Sequence, residues 1–312
     1  MSQAISVPDP PASPSPFVVR DAEFEAVLGH APRLAHVIDV DAHEGPVYVA
    51  QEDALYFTTV PQRPGPRVGI KRLSLKSMTV SVVRADAAAA NGMAADHDGR
   101  LVVCEQLGGA IAAVDPLSGA RTLLADGFNS PNDVVAKRDG TIWFTDPSYG
   151  WLQGFRPPPR LRDGVRRYDP RTGRVTTVGD AFDKPNGLCF SPDESILYVT
   201  DSGANHEPGS FEPSRPHHIK AFDVLDDGRL ARECIFADVE PGFPDGIKVD
   251  ADGRVYASSF SGVQVFSPSG RLIGEIGLPG AVNFCFGGTD RDVLFITTDT
   301  AIHAAHLQAK GP

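Results

Sequence analysis

Six polar residues, each opening a short apolar run, are the side chains of this 312-residue chain best placed to do chemistry: Glu44, Asn91, Asn132, Asn186, Asp245 and Asn283. Four of them stand eight positions before a turn residue: Asn91 to Gly99, Asn132 to Gly140, Asn186 to Glu194, and Asp245 to Gly253. A single Asn-Gly or Asp-Gly can be turn chemistry and nothing more. Recurrence at fixed spacing instead predicts one shared site of two acids and four amides. Carboxylate and carboxamide oxygens are hard donors that suit Ca²⁺, Mg²⁺ or Mn²⁺. The charges of Glu44 and Asp245 would match a divalent ion. Four further acids, Glu105, Asp146, Asp201 and Asp299, close the second apolar runs, and no Lys or Arg lies nearby in sequence to compensate them. Partly buried together, such groups repel one another unless a cation is bound.

The elements that would position these residues repeat. NGMAADHDGRLVVCE (91–105), NDVVAKRDGTIWFTD (132–146), NGLCFSPDESILYVTD (186–201) and DGIKVDADGRVYASSF (245–260) are clear copies, and looser ones begin at Glu44 and Asn283. Runs of four to six residues rich in Val, Ile, Phe and Tyr, joined at hairpin-type turns, predict antiparallel strand pairs. A second hairpin follows most pairs, as in GVRRYDPRTGRVTTV. Six units of four strands predict an all-β, six-bladed β-propeller with four-stranded antiparallel blades. In that arrangement the first strand of each blade faces the axis, so the six openers ring one mouth of the channel and the four acids stand close behind. The leading stretch FEAVLGHAPRLAHVID is expected to supply strands to the last blade and so close the ring. Residues 150–164 and 202–218 are long insertions of the kind that shape a site. Tyr149, Trp151 and Phe155 could wall a pocket there.

Met1 to Pro16 carries five prolines and is read as a disordered tail, leaving residues 17–312 for the propeller. That tail lacks the pattern of a secretory signal, and no apolar run is long enough to cross a membrane. A net charge of −11 argues against nucleic-acid binding. Four scattered cysteines form no zinc-type pair, and reduced thiols together with the missing signal point to the cytoplasm. The oligomeric state stays open. No Gly-Xaa-Ser-Xaa-Gly elbow is present, and Val47 stands where a zinc-protease motif starting at His43-Glu44 would need its second His.

The segments HEGPVY, SPNDVVAKRDGTIWFTDPSYG, KPNGLCFSPDESILYVTD, PDGIKVDADG and VNFCFGG resemble the family of senescence marker protein (regucalcin), gluconolactonase and luciferin-regenerating enzyme, its bacterial and fungal gluconolactonase branch above all. The resemblance implies a lactonase with one divalent cation, calcium first and Zn²⁺, Mn²⁺, Mg²⁺ or Fe²⁺ as alternatives, held by Glu44, Asn186 and Asp245. Asn132 would join directly or through water, and would also bind substrate. Asp245 would carry the proton in catalysis, with Asp201 as the understudy; direct attack by Asp245 as nucleophile is the alternative route, and Asn91, Asn132, Asp146 and Tyr149 are the substrate-binding candidates. Ser130 stands where the animal branch has an Arg, so a preference resting on that Arg does not carry over. The expected substrate is a small lactone, a sugar lactone such as a gluconolactone. The competing readings are a calcium-dependent phosphotriesterase or arylesterase, a non-catalytic calcium-binding propeller, and a metal-free carbon–carbon bond-forming propeller, which the oxygen-rich ring disfavours.

Overall fold

The computed structural model describes residues 15–62, 65–206 and 209–312, so the proline-rich tail lies outside them except for its last two residues. Six antiparallel sheets, one of five strands and five of four, form the six-bladed propeller. Blade three is representative, with strands Val134–Ala136, Ile142–Asp146, Gly164–Asp169 and Arg174–Gly179 in spatial order. The second strands are buried along their whole length in five blades, among them Ala54–Thr58, Leu101–Glu105 and Val293–Thr297, whereas outer strands such as Thr79–Arg84 are largely exposed. Both faces of each inner strand pack on a neighbouring blade, which is why these runs read as continuously apolar rather than alternating. The core accordingly lies between blades: Val47, Tyr56 and Ile70 of blade one meet Met93, Leu101 and Val103 of blade two.

The hairpin turns far from the ring behave as the spacing requires. Gly99, Gly140 and Gly253 have φ of 76°, 84° and 82°, a region that costs glycine little. Glu194 takes the same role at φ 60°, and its carboxylate is held by the Arg138 N–H at 2.9 Å and Lys137 Nζ at 3.1 Å.

Closure is partly as expected. Arg33–Asp39 pairs with Ala301–His306 as the outer strand of blade six. The preceding FEAVL is not a strand, however, but the short helix Glu23–Leu28. Its Phe24 is fully buried against Gly274, where a Cβ would come within 2.2 Å of the ring. Upstream, Phe17–Val19 adds a fifth strand to blade five by pairing with Leu272–Gly277. The N-terminal segment therefore laces the last two blades together. Burying an aromatic such as Phe24 contributes about 2 kcal/mol to that lacing.

Candidate functional site: a ring of oxygens at one channel mouth

Five of the six openers, all but Asn132, are set by a buried hydroxyl from the second strand of a blade. Thr58 Oγ1 donates to the main-chain oxygens of Glu44 (2.9 Å) and of Asn91 in the next blade (3.1 Å). Thr145 Oγ1 donates to Asn186 O at 2.6 Å and accepts from the Asp133 N–H at 3.0 Å. Thr200 Oγ1 reaches Gly187 O (3.3 Å) and Asp245 O (3.2 Å), while Ser258 Oγ accepts the Asp245 N–H at 3.0 Å. Thr297 Oγ1 closes the circle on Asn283 O (3.0 Å) and His43 O (2.6 Å). Blade two alone has a thiol there, Cys104.

The residue after the opener is glycine in four blades, because the next blade comes too close for a side chain. A Cβ on Gly45 would lie 2.7 Å from Asn91 O, on Gly187 2.3 Å from Asp245 O, and on Gly246 2.6 Å from Asn283 Oδ1. On Gly92 it would lie 2.2 Å from Asp133 Oδ1. Asp133 stands where those neighbours have glycine. It is a buried carboxylate that sequence reasoning passed over.

The geometry brings Glu44, Asn186, Asp245 and Tyr149 together. Asn283 Nδ2 donates to Glu44 Oε2 at 2.7 Å, and the Asn186 amide lies close enough to Asp245 and Tyr149 to offset part of the rise in each one's pKa. Burial pushes Asp245 well above the usual carboxylate range, and the charges of Glu44 and Asp133 push it further, against a partial offset from His43. Burial likewise raises Glu44, with His43 pulling down and Asp133 pushing up. Asn91 and Asn132 are neighbours on the ring, linked through the Gly92 N–H to Asn132 O bond of 2.8 Å. The Oδ1 atoms of both are buried without a hydrogen-bond partner among the described residues. Two mutually repelling acids and two orphaned amide oxygens suit a hard divalent cation. No three His, Cys, Asp or Glu side chains cluster as a metal site among the described residues, since this donor set mixes acids with amides.

The four acids behind the ring divide in a way their sequence spacing does not reveal. Only Asp299 faces an opener's neighbour: its Oδ1 lies 2.6 Å from His43 Nδ1. Burial alone would lower His43, but Asp299, Glu44 and Asp245 outweigh it and raise its pKa. Glu105 is paired through both oxygens with Arg121, at 2.6 Å each, and Asp146 lies 3.5 Å from Arg166 while accepting the Ser130 N–H at 3.0 Å. The expectation that no basic residue compensates these two is therefore corrected, because Arg121 reaches Glu105 from the outer strand of blade two and Arg166 reaches Asp146 from the adjacent third strand of blade three. Asp146 is fully buried, and burial pushes its carboxyl up to about 7. Asp201 accepts the N–H groups of Asp183 (3.0 Å) and Lys184 (2.8 Å), fixing the turn that enters the Asn186 strand.

A cavity of about 360 Å³, walled by Val47, Met93, Val134 and Leu188, runs from beyond the openers to the far hairpins at Arg138 and Glu194. Lys248 also lines it, donating to Ile247 O at 2.9 Å, and its charge offsets part of the burial that raises Asp133. Cys104, Cys189 and Cys285 are buried free thiols, and Cys234 is an exposed one. No helix among the described residues is long and apolar enough to cross a membrane.

Residues 42–300 match the SMP-30/gluconolactonase/LRE-like region. A gluconolactonase of Zymomonas mobilis is 30% identical over 293 residues, covering 82% of this chain and 79% of that protein. Lactonohydrolase oryL of Aspergillus oryzae is 29% identical, covering 91% and 74%. Among solved structures, a gluconolactonase from Xanthomonas campestris superposes with a TM-score of 0.80 at 35% identity, covering 97% of this chain and 99% of that one. A calcium-binding regucalcin from Agrobacterium tumefaciens shares the fold at a TM-score of 0.70 and 19% identity, covering 90% and 95%.

Proposed function

The chain belongs to the SMP-30/gluconolactonase/LRE-like family of lactone-hydrolysing enzymes, and from that premise we propose that it opens a small lactone at the ring of Glu44, Asn186 and Asp245 with a divalent cation, calcium first, bound there. The observation that carries this reading is the meeting of two mutually destabilised carboxylates, buried Glu44 and half-buried Asp245, with buried amide oxygens that have no partner among the described residues. Glu44 Oε2 is taken by Asn283 and the Gly45 N–H, which leaves Oε1 for the cation. A bound divalent ion would polarise the lactone carbonyl and stabilise the tetrahedral oxyanion.

The protein's own groups do the rest. Asp245 accepts a proton from water as the water oxygen bonds to the carbonyl carbon, and returns it to the ring oxygen when the carbon–oxygen bond breaks, giving a hydroxy acid. Asn132 and Asn91 orient the substrate, and the Tyr149 hydroxyl stands beside Asn186 and near the charge of Asp245. Asp201 and Asp146 serve as supports, holding the turns that deliver Asn186 and Ser130. The relatives' names make gluconolactone the first substrate to assay, and the buried free thiols support a cytoplasmic location. The His43–Asp299 contact favours a second reading, in which His43 rather than Asp245 moves the proton.

PH-stat assays on protein stripped of metal, then refilled, test the proposal. Full turnover by verified metal-free protein would overturn it. Glu44→Gln and Asn186→Ala should regain part of the rate in excess cation. Asp245→Asn should stay about 100- to 10,000-fold down, the usual contribution of a positioned base. If Asp245→Asn turns over normally at saturating metal while His43→Gln is dead, the proton belongs to His43.

A further inference from the structure

Three aromatic rings gather beside Asp245. Phe211, Phe243 and Phe260 touch in all three pairings, with ring centroids 5.3 Å apart for Phe211–Phe260, 5.4 Å for Phe243–Phe260 and 6.5 Å for Phe211–Phe243. Clustering normally hides such rings, yet Phe211 stays 42% exposed and Phe260 48% exposed. Exposed apolar patches of this kind mark binding surfaces. The patch is also rigidly tied to the ring of oxygens. Phe243 lies two residues before Asp245, and Phe260 two residues after Ser258, whose Oγ fixes the Asp245 N–H. The Phe260 N–H donates to Pro241 O at 3.0 Å, and Gly242 lies so close that a Cβ there would come within 2.5 Å of the Phe260 ring. Phe211 comes from the insertion 202–218, which Ser202 Oγ anchors to Pro244 O, next to Asp245.

The insertion on blade three adds a second apolar element. Trp151 is 47% exposed, and Arg156 ties this insertion to Leu107 O of blade two at 3.0 Å, where Leu107 is itself 43% exposed. Three cations on or beside these loops, Arg156, Arg215 and Lys184, are already engaged. Arg156 donates to three main-chain oxygens, Arg215 grips Asp183, and Lys184 reaches Asp163 and Asp183. A polyhydroxylated lactone would present hydroxyls that phenyl edges cannot satisfy, and a buried hydroxyl without a partner is costly. An alkyl or aryl substituent would gain by covering the same rings.

We propose that Phe211, Phe243 and Phe260 form a substituent subsite, and that the preferred substrate is a lactone bearing an alkyl or aryl group rather than a sugar lactone. This rests on the lactonase reading and narrows it. The test compares kcat/KM for δ-valerolactone, δ-decalactone, which adds a pentyl chain to the same ring, and glucono-δ-lactone. δ-Decalactone should exceed both others by about 10- to 100-fold, since each buried methylene adds roughly 0.8 kcal/mol and the patch covers only part of the chain. In Phe211→Ala/Phe260→Ala the decalactone-to-valerolactone ratio should fall towards one. Both rings are surface residues, and an unshifted melting temperature checks the fold. A preference for glucono-δ-lactone, or a double variant that keeps the wild-type ratio, overturns the subsite and leaves the lactonase reading standing. Hydrolysis of none of the three overturns both.

Discussion

Replacing Thr200 with Val isolates the contribution of the hydroxyl belt, because the side chain keeps its shape and loses only its oxygen. Thr200 is fully buried, and its hydroxyl is shared between Gly187 O and Asp245 O at 3.3 and 3.2 Å. Leaving a buried carbonyl short of a donor costs about 1–3 kcal/mol. Around 2 kcal/mol should lower the melting temperature by roughly 3 °C in a chain of this length. The loss should also be functional, because the main chain of Asp245 would then be held by Ser258 alone. Calcium tolerates only about 2.3–2.6 Å to its oxygens, so a loosened ligand weakens binding, by roughly tenfold if 1.4 kcal/mol of the loss falls on the bound state. Calorimetric calcium titration measures this directly, and Thr200→Ser should restore it. The control is Thr141→Val at the far end of blade three, where an equally buried hydroxyl bonds Asp139 (2.6 Å) and accepts from Trp143 (2.9 Å). Thr141→Val should lower the melting temperature and leave calcium affinity alone. If both variants lose stability and neither loses affinity, the belt holds the fold together but does not position the site.

Asp146 should make stability pH-dependent. Its folded pKa of about 7 lies above the ordinary 3.8, so the folded state binds the extra proton, and the associated stability, full below about pH 4, is lost as pH rises towards 7. That is a change of a few kcal/mol, and urea unfolding at pH 5 and pH 8 should show it shrinking in Asp146→Asn. An unchanged difference would mean that Arg166 keeps Asp146 ionised throughout. Gly92→Ala should fail to fold or lose several kcal/mol, since its Cβ would meet the main chain of Asp133 at 2.6 Å and Asn132 O at 2.7 Å. Gly140→Ala has open space and should lose only about 1 kcal/mol to its positive φ, as soluble yield and melting temperature would report.

Much of the architecture is legible because equivalent residues do equivalent work. The openers, their distance from the hairpin turn and the paired apolar runs all recur, so the ring and its six blades follow from spacing. The belt recurs as well, in Thr58, Thr145, Thr200, Ser258 and Thr297, thirteen or fourteen positions after the openers. It went unread because Thr is at home in any strand. Asp133 was legible too, as the acid in a place where Gly45, Gly92, Gly187 and Gly246 stand. What spacing cannot show is which distant cation neutralises an acid: Arg121 and Arg166 reach Glu105 and Asp146 across the sheet, 16 and 20 positions along the chain. The helix Glu23–Leu28 escaped for another reason, being too short for helical periodicity to stand out.

The same residue type at four equivalent ring positions does not do the same job, and hydrogen bonding decides which job each takes. At Asn283 the Phe284 N–H donates to Oδ1 at 2.8 Å, and Lys248 Nζ lies 3.5 Å from the same atom. Two donors on one atom identify it as the oxygen, which turns the NH₂ towards Glu44. Asn283 is therefore a donor that orients an acid, and its own oxygen is spent. Asn91 and Asn132 have the opposite environment: their Oδ1 atoms are buried and find no donor among the described residues. Asn186 stands between these cases, its amide beside the side chains of Asp245 and Tyr149 and offsetting part of the rise in the pKa of both. A neutral amide adds an oxygen without adding to the repulsion between Glu44 and Asp245, whereas an acid at that position would raise both carboxyls further, as the buried Asp133 beside the ring already does. With acids at only two of the six opener positions, in blades one and five, and amides at the other four, the openers match one divalent charge and add no further repulsion to that of Asp133, which Lys248 partly offsets before the ion arrives.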